Sequence, residues 1–216
     1  MISRWMVAVM AALMVGGAGP APDVEAKTRA FLSRPEQIDA VRDAVLDQAS
    51  ALPRACPDLT FKAVELLLAS PPEPRFDAAG TMVEGSVRQR FASGGCPGFA
   101  PLFNVWVIAT PGEAVRTFTA YPGTTSASVD LQKVAMPTAA VAAGRVVGGC
   151  GSLDVIDTKD LGFEPGTGKG ARPWREIWLV GGCDMYATVS LRFVPSADGH
   201  IGVDAPADGV RRVTLR

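Results

Sequence analysis

Four cysteines, one histidine and a few carboxylates are the residues of this chain whose types and spacing could do chemistry. The cysteines are Cys56, Cys96, Cys150 and Cys183. Zinc sites bring cysteines in close pairs or beside histidines, and thiol redox centres use Cys-x-x-Cys. Here no two cysteines are near neighbours, and the only histidine, His200, stands in a turn-like Asp198-Gly199-His200. No metal or cofactor is expected. The chemistry left to the thiols is oxidation to two disulfides, as in exported chains.

The pairing follows from an echo in the sequence. Val87-Arg88-Gln89-Arg90-Phe91-Ala92-Ser93-Gly94-Gly95-Cys96 is repeated in form by Trp174-Arg175-Glu176-Ile177-Trp178-Leu179-Val180-Gly181-Gly182-Cys183. Aligned on Gly-Gly-Cys, the copies share Arg88 with Arg175, Gln89 with Glu176, and the aromatics Phe91 and Trp178. Each copy has one cysteine upstream, Cys56 or Cys150. If each copy is a unit, the bonds are Cys56–Cys96 and Cys150–Cys183. Each would contribute roughly 3–4 kcal/mol through the entropy of the unfolded chain.

Other constellations carry less. Asp154, Asp157, Glu164 and Glu176 could supply a carboxylate pair for sugar hydrolysis, which draws on distant positions. Neither a Gly-x-Ser-x-Gly elbow nor a Ser-x-x-Lys occurs to supply a nucleophile. Pro165-Gly166-Thr167-Gly168-Lys169-Gly170 resembles a phosphate loop, but Phe163 stands where the first glycine belongs and Gly170 follows the lysine. A mobile surface loop between strands is expected there. Trp174, Trp178, Trp106, Phe91 and Phe118 could line a sugar pocket, or pack a core.

The elements that position these residues read as a helix followed by strands, twice. Ser33-Arg34-Pro35-Glu36 is a helix start, with Ser33 as N-cap and Glu36 closing a capping box. Ile38, Val41, Val45, Ala49 and Leu52 recur on one face, and Pro53 ends the helix before Cys56. Strands are expected over 59–68, 82–92, 103–109 and 114–120. A second helix over 129–143, capped by Ser126 or Ser128, should kink or break at Pro137. Strands then follow over 153–157, 174–180 and 185–194, with one more in the tail from 201 to 216. The fold class is α+β with mostly antiparallel pairing, an αβββ unit stated twice and tied by disulfides. The boundaries are 1–26 for a signal peptide, 27–120 for the first unit and 121–216 for the second, the two packing as one globular domain.

The second hairpin fixes which side chains point inward. Met185, Ala187, Val189, Leu191 and Phe193 alternate with polar residues, the period of a half-buried strand. A two-residue turn within Gly181–Asp184 places Trp174, Trp178 and Val180 on that same core face. Glu176 falls there too, between the tryptophans, and Gln89 takes the matching slot between Val87 and Phe91. A polar group there needs a buried partner, either a backbone group or an arginine from a neighbouring strand, and the alternative is a role for Gln89 and Glu176 in holding a ligand. Arg88 and Arg175 fall on the opposite face.

The N-terminus is an address. Arg4 precedes an unbroken apolar run from Trp5 to Val15, then small residues and prolines, the form of a secretory signal peptide. Cleavage is expected after Ala18 or Ala26. The run is shorter than the roughly 20 residues that span a bilayer, so no membrane span is expected after cleavage. Removal of residues 1–26 takes one basic and two acidic residues from totals of 21 and 22, leaving the charge balanced. Nucleic acid is therefore not an expected partner.

Pro173-Trp174-Arg175-Glu176-Ile177-Trp178, Cys183, Val189-Ser190-Leu191-Arg192-Phe193-Val194-Pro195 and Pro122-Gly123-Thr124-Thr125 ahead of Leu131-Gln132 resemble segments of small exported proteobacterial proteins without an established activity. The resemblance implies a periplasmic or secreted protein and transfers no catalytic residue. The expected function is binding, to an envelope protein or a small ligand, or structural support in the cell envelope, without enzymatic activity. The alternatives are a carboxylate-dependent envelope hydrolase or lyase and a module that pairs through a strand edge.

Overall fold

The computed structural model describes residues 22–50, 58–68, 73–95, 101–148, 150–165 and 172–214. Over these residues it is α+β, with three α-helices and two antiparallel sheets. The first unit begins with α1 (Pro22–Leu32) and α2 (Pro35–Ser50). It continues through β1 (Thr60–Leu68), β2 (Arg75–Phe76), β3 (Met82–Gly94), β4 (Leu102–Ala109) and β5 (Arg116–Ala120). The strands run β1-β3-β4-β5, and β2 pairs with β3 as well. The second unit is α3 (Val129–Val147), then β6 (Asp154–Phe163), β7 (Trp174–Gly182), β8 (Met185–Pro195), β9 (Ile201–Asp204) and β10 (Val210–Val213). Its order is β6-β7-β8-β10, and β9 pairs with β8 as well.

Each sheet buries one face under its own helices. Phe31 and Leu32 of α1 and Val41 and Val45 of α2 meet Val87, Phe91, Phe103, Val105 and Val107. In the second unit the division of volume is sharp. The sheet supplies Trp174, Trp178, Leu191 and Phe193, while α3 supplies Ala135, Ala139, Ala142 and Ala143. Small helix residues let the backbone sit close over large side chains, which fills the layer without voids. Ser128 caps α3, its hydroxyl accepting from the Leu131 amide at 3.3 Å.

Several sequence readings change. α1 precedes the helix expected to come first. Ser33 does not cap α2: its hydroxyl donates to the Arg29 carbonyl at 2.7 Å, closing the end of α1 instead. Ile38 is 52% exposed, because α2 turns only Val41 and Val45 fully inward. α3 is not broken at Pro137, which lies on the exposed side of one uninterrupted helix. There it leaves the Lys133 carbonyl to solvent rather than to the core. β6 extends to Phe163, through bulges at Val155/Asp157 and Asp160/Gly162. The tail holds two strands, separated by one turn of 3-10 helix at Ala207–Gly209.

The β7–β8 hairpin has the two-residue loop the alternation requires. Gly182 pairs with Met185, and both Cys183 (φ 51°) and Asp184 (φ 58°) are left-handed, a type I′ turn. The glycines before it serve close packing instead of the turn. A Cβ on Gly181 would stand 2.4 Å from the Tyr186 ring, and one on Gly182 would stand 2.2 Å from the Ser152 carbonyl oxygen. Cys150 and Cys183 form the expected disulfide.

The first unit has the same register around its Gly-Gly. Gly94 pairs with Thr60, four residues after Cys56, as Gly181 pairs with Asp154, four after Cys150. A Cβ on Gly95 would stand 2.0 Å from the Asp58 carbonyl oxygen, the counterpart of Ser152. Cys56 and Cys96 themselves lie outside the described residues. Non-reducing peptide mapping should find Cys56 linked to Cys96 and Cys150 to Cys183. A linkage between the halves would refute the shared register as a guide to pairing.

Candidate functional site

Of six buried polar side chains among the described residues, five lie around one segment, Tyr121–Ser128. They are Asn104, Thr125, Gln132, Thr158 and Glu176. Thr28, the sixth, donates within α1 to the Val24 carbonyl. The segment joins the two units, and its backbone has few internal partners, so buried groups from both sides must satisfy it.

From the first sheet, Asn104 Nδ2 donates to the carbonyls of Tyr121 (2.8 Å) and Gly123 (2.9 Å). Arg90 Nε holds the Asn104 amide oxygen at 3.1 Å. Arg88 reaches the Thr125 carbonyl at 3.3 Å, and the Gly123 amide donates to the Leu102 carbonyl at 2.7 Å. From α2, Gln48 Nε2 donates to the Ala120 carbonyl at 2.6 Å.

The second unit holds the same segment from the other side. The Thr124 amide donates to the Thr158 carbonyl at 2.7 Å, and the Asp160 amide donates to the Thr124 hydroxyl at 3.0 Å. Thr158 Oγ1 donates to the Pro122 carbonyl (2.6 Å) and accepts from the Thr125 amide (3.1 Å). Gln132 of α3 accepts from the Tyr121 amide and donates to the Ala127 carbonyl. The Ser126 hydroxyl donates to Asp160.

Glu176 is at the centre and has 0% exposure. Its Oε1 accepts from the amides of Ser126 (3.0 Å) and Ala127 (3.2 Å) and from Trp174 Nε1 (3.0 Å). Its Oε2 accepts from Trp178 Nε1 at 2.8 Å. All four partners are N–H donors, which suits an acceptor-only side chain. The expected backbone partner is present, and no arginine is among the four. The two indoles satisfy their own buried N–H groups on the same carboxylate.

The other residues singled out by sequence disperse. Gln89 holds the matching place on β3, half-buried between Val87 and Phe91, in the other sheet and under different helices. The structure does not bring it to Glu176. Glu164 lies between Arg192 and Arg175, whose hydrogen bonds pull its carboxyl down to about 2. Asp157 pairs with Leu179 on the face turned away from α3, and burial pushes its carboxyl up. Asp154 is exposed at the start of β6. These carboxylates do not converge in one cleft. His200 is exposed in the β8–β9 turn, where its amide and carbonyl bond to Asp198 and Ser196. The Gly-Thr-Gly-Lys-Gly stretch, 166–170, lies outside the described residues.

The aromatics sort by face. Trp174, Trp178 and Phe91 are core, Trp174 stacking on Phe193 with centroids 4.8 Å apart. Trp106 and Phe118 are register partners on the outer face of the first sheet, with the Arg88 guanidinium 5.6 Å from the Trp106 ring. Sequence reasoning missed Asp160 and Thr158, because the bulges of β6 shift the alternation that would have marked them as inward.

The site is thus a buried hydrogen-bonded junction between two helix-over-sheet units. The chain matches no protein-family model, no curated protein and no solved structure. No helix among the described residues is long and apolar enough to cross a membrane.

Proposed function

We propose that this chain is an exported protein that works by binding, or by supporting an assembly of the cell envelope, and has no chemistry of its own. One observation carries the reading. Glu176, the acid at the centre of the aromatic face, has both oxygens engaged by four N–H groups and no surface open to a substrate. Its work is to hold the segment ahead of α3. The Cys150–Cys183 disulfide supports an oxidising compartment, as does the resemblance to small exported proteobacterial proteins. The equal registers of the two Gly-Gly segments support an internal duplication.

The test is a turnover screen of the purified chain on peptidoglycan, ester and peptide substrates, beside co-sedimentation with envelope fractions. Binding without product is expected. Turnover that disappears on one point change would sink the reading.

α1 bears on the site of cleavage. A cut after Ala26 would divide it and discard Asp23 and Glu25, which pair with Lys27 and Arg29 at 2.7 Å. Thr28 and Phe31 of the same helix are buried. N-terminal sequencing of the exported chain should therefore read from Gly19, following Ala18. A start at Lys27 would overturn this.

A further inference from the structure

We propose that α3 is a contact surface between two copies of this chain, paired antiparallel about a two-fold axis. The helix is apolar on both sides. Its inner face is committed to the core through Ala135, Ala139, Ala142 and Ala143. Between Lys133 and Arg145 it has no charged residue at all. On the outer face Val134 is 62% exposed and Val141 is 63% exposed, with exposed Pro137 between them. A helix hydrophobic all round ordinarily has cover on every side. A shallow groove of about 330 Å³ runs along this face, lined by Pro137, Thr138, Val141, Ala142, Arg145 and Ala205.

The charge pattern selects the occupant. At 100° per residue, Asp130, Val134, Pro137, Val141 and Arg145 share one stripe. The stripe is symmetric about the bond between Pro137 and Thr138. An antiparallel second helix centred there sets Val134 on Val141 of the partner subunit. The same operation sets Asp130 beside Arg145 of the partner subunit, and the reciprocal contacts follow, as an isologous interface requires. A parallel arrangement would put like charges side by side, which opposes it. Asp130 now bonds to Lys133 at 3.3 Å, but both side chains are well exposed, and such a pair yields readily. The helix is about 28 Å long. With the flanking segment at Ala205, it gives an interface at the small end of specific contacts. Association should therefore depend on concentration, with a dissociation constant of roughly micromolar order.

Sedimentation velocity of the purified chain across the micromolar range tests this. A shift from monomer to dimer is expected. Val141→Asp should weaken association at least about tenfold, and circular dichroism should be unchanged because Val141 is 63% exposed and lies outside the core cluster of its own unit. Asp130→Arg and Arg145→Asp should each be monomeric alone, since each homodimer would juxtapose like charges. Mixed together they should form a heterodimer, with both charge pairs restored. A wild-type chain that stays monomeric overturns the proposal. So does a dimer indifferent to Val141→Asp, or a charge-reversed mixture that does not associate.

Discussion

Gly123→Ala should be among the most damaging single changes in this protein, costing roughly 3–5 kcal/mol or abolishing folding. Two independent reasons add. Gly123 has φ +101°, which an L side chain adopts only under strain. A Cβ there would stand 2.0 Å from the Thr158 carbonyl oxygen, 2.5 Å from its amide nitrogen and 2.6 Å from Asp157 Oδ1. The first two are strand backbone, so nothing can swing aside. Relief would require lifting the segment off β6, which would break the Thr124–Thr158 bond and loosen Thr125 and Ser126. Urea unfolding of the purified variant measures the loss. A cost under about 1 kcal/mol would mean the segment is free to move, contrary to the junction described above.

Glu176→Gln should cost about 2–4 kcal/mol, although it preserves shape almost perfectly. Oε1 has three donors and Oε2 has one, so the amide nitrogen would turn toward Trp178. Two donors then face each other, and the indole N–H of Trp178, whose residue is wholly buried, loses its acceptor. The remaining three bonds weaken, because a neutral oxygen replaces a carboxylate. The midpoint of urea unfolding should fall with its slope unchanged. Tryptophan emission should change as well, since Trp174 and Trp178 both bond to the substituted group. A cost below about 0.5 kcal/mol with unaltered emission would show that the carboxylate does not hold the segment.

Much of this was legible in the residues. Alternation in β8 and a two-residue turn placed Glu176 inward between two tryptophans. The pattern had no way to show which backbone it meets there, because Ser126 and Ala127 lie about 50 positions away in a loop without periodicity. The α+β class and most strands followed from turn signals and period-two runs. α1 did not, because its first residues fall within 1–26, the stretch that reads as a signal peptide from the apolar run Trp5–Val15. Ser33 was misread for a different reason. Its position suits the start of α2, but with α1 ending just before it, the nearer unsatisfied group is the Arg29 carbonyl. The turn expected within Gly181–Asp184 falls on its last two residues, Cys183 and Asp184, which take the left-handed geometry. What the glycines supply is proximity, and only the paired strand reveals what they are close to.

The Tyr121–Ser128 segment also bears on where this chain could be cut and rejoined. Tandem units are ordinarily separable at the stretch between them, which is exposed, polar and poor in contacts. Here that stretch is the most heavily bonded loop in the described structure. Severing it would strand Asn104 on one side and Glu176 on the other, so neither half could stand as an independent fragment. New termini belong instead at the exposed β8–β9 turn, around Asp198 and Gly199, where opening the backbone costs only a local turn. For circular permutation, the stretch that joins the two units is the least divisible place.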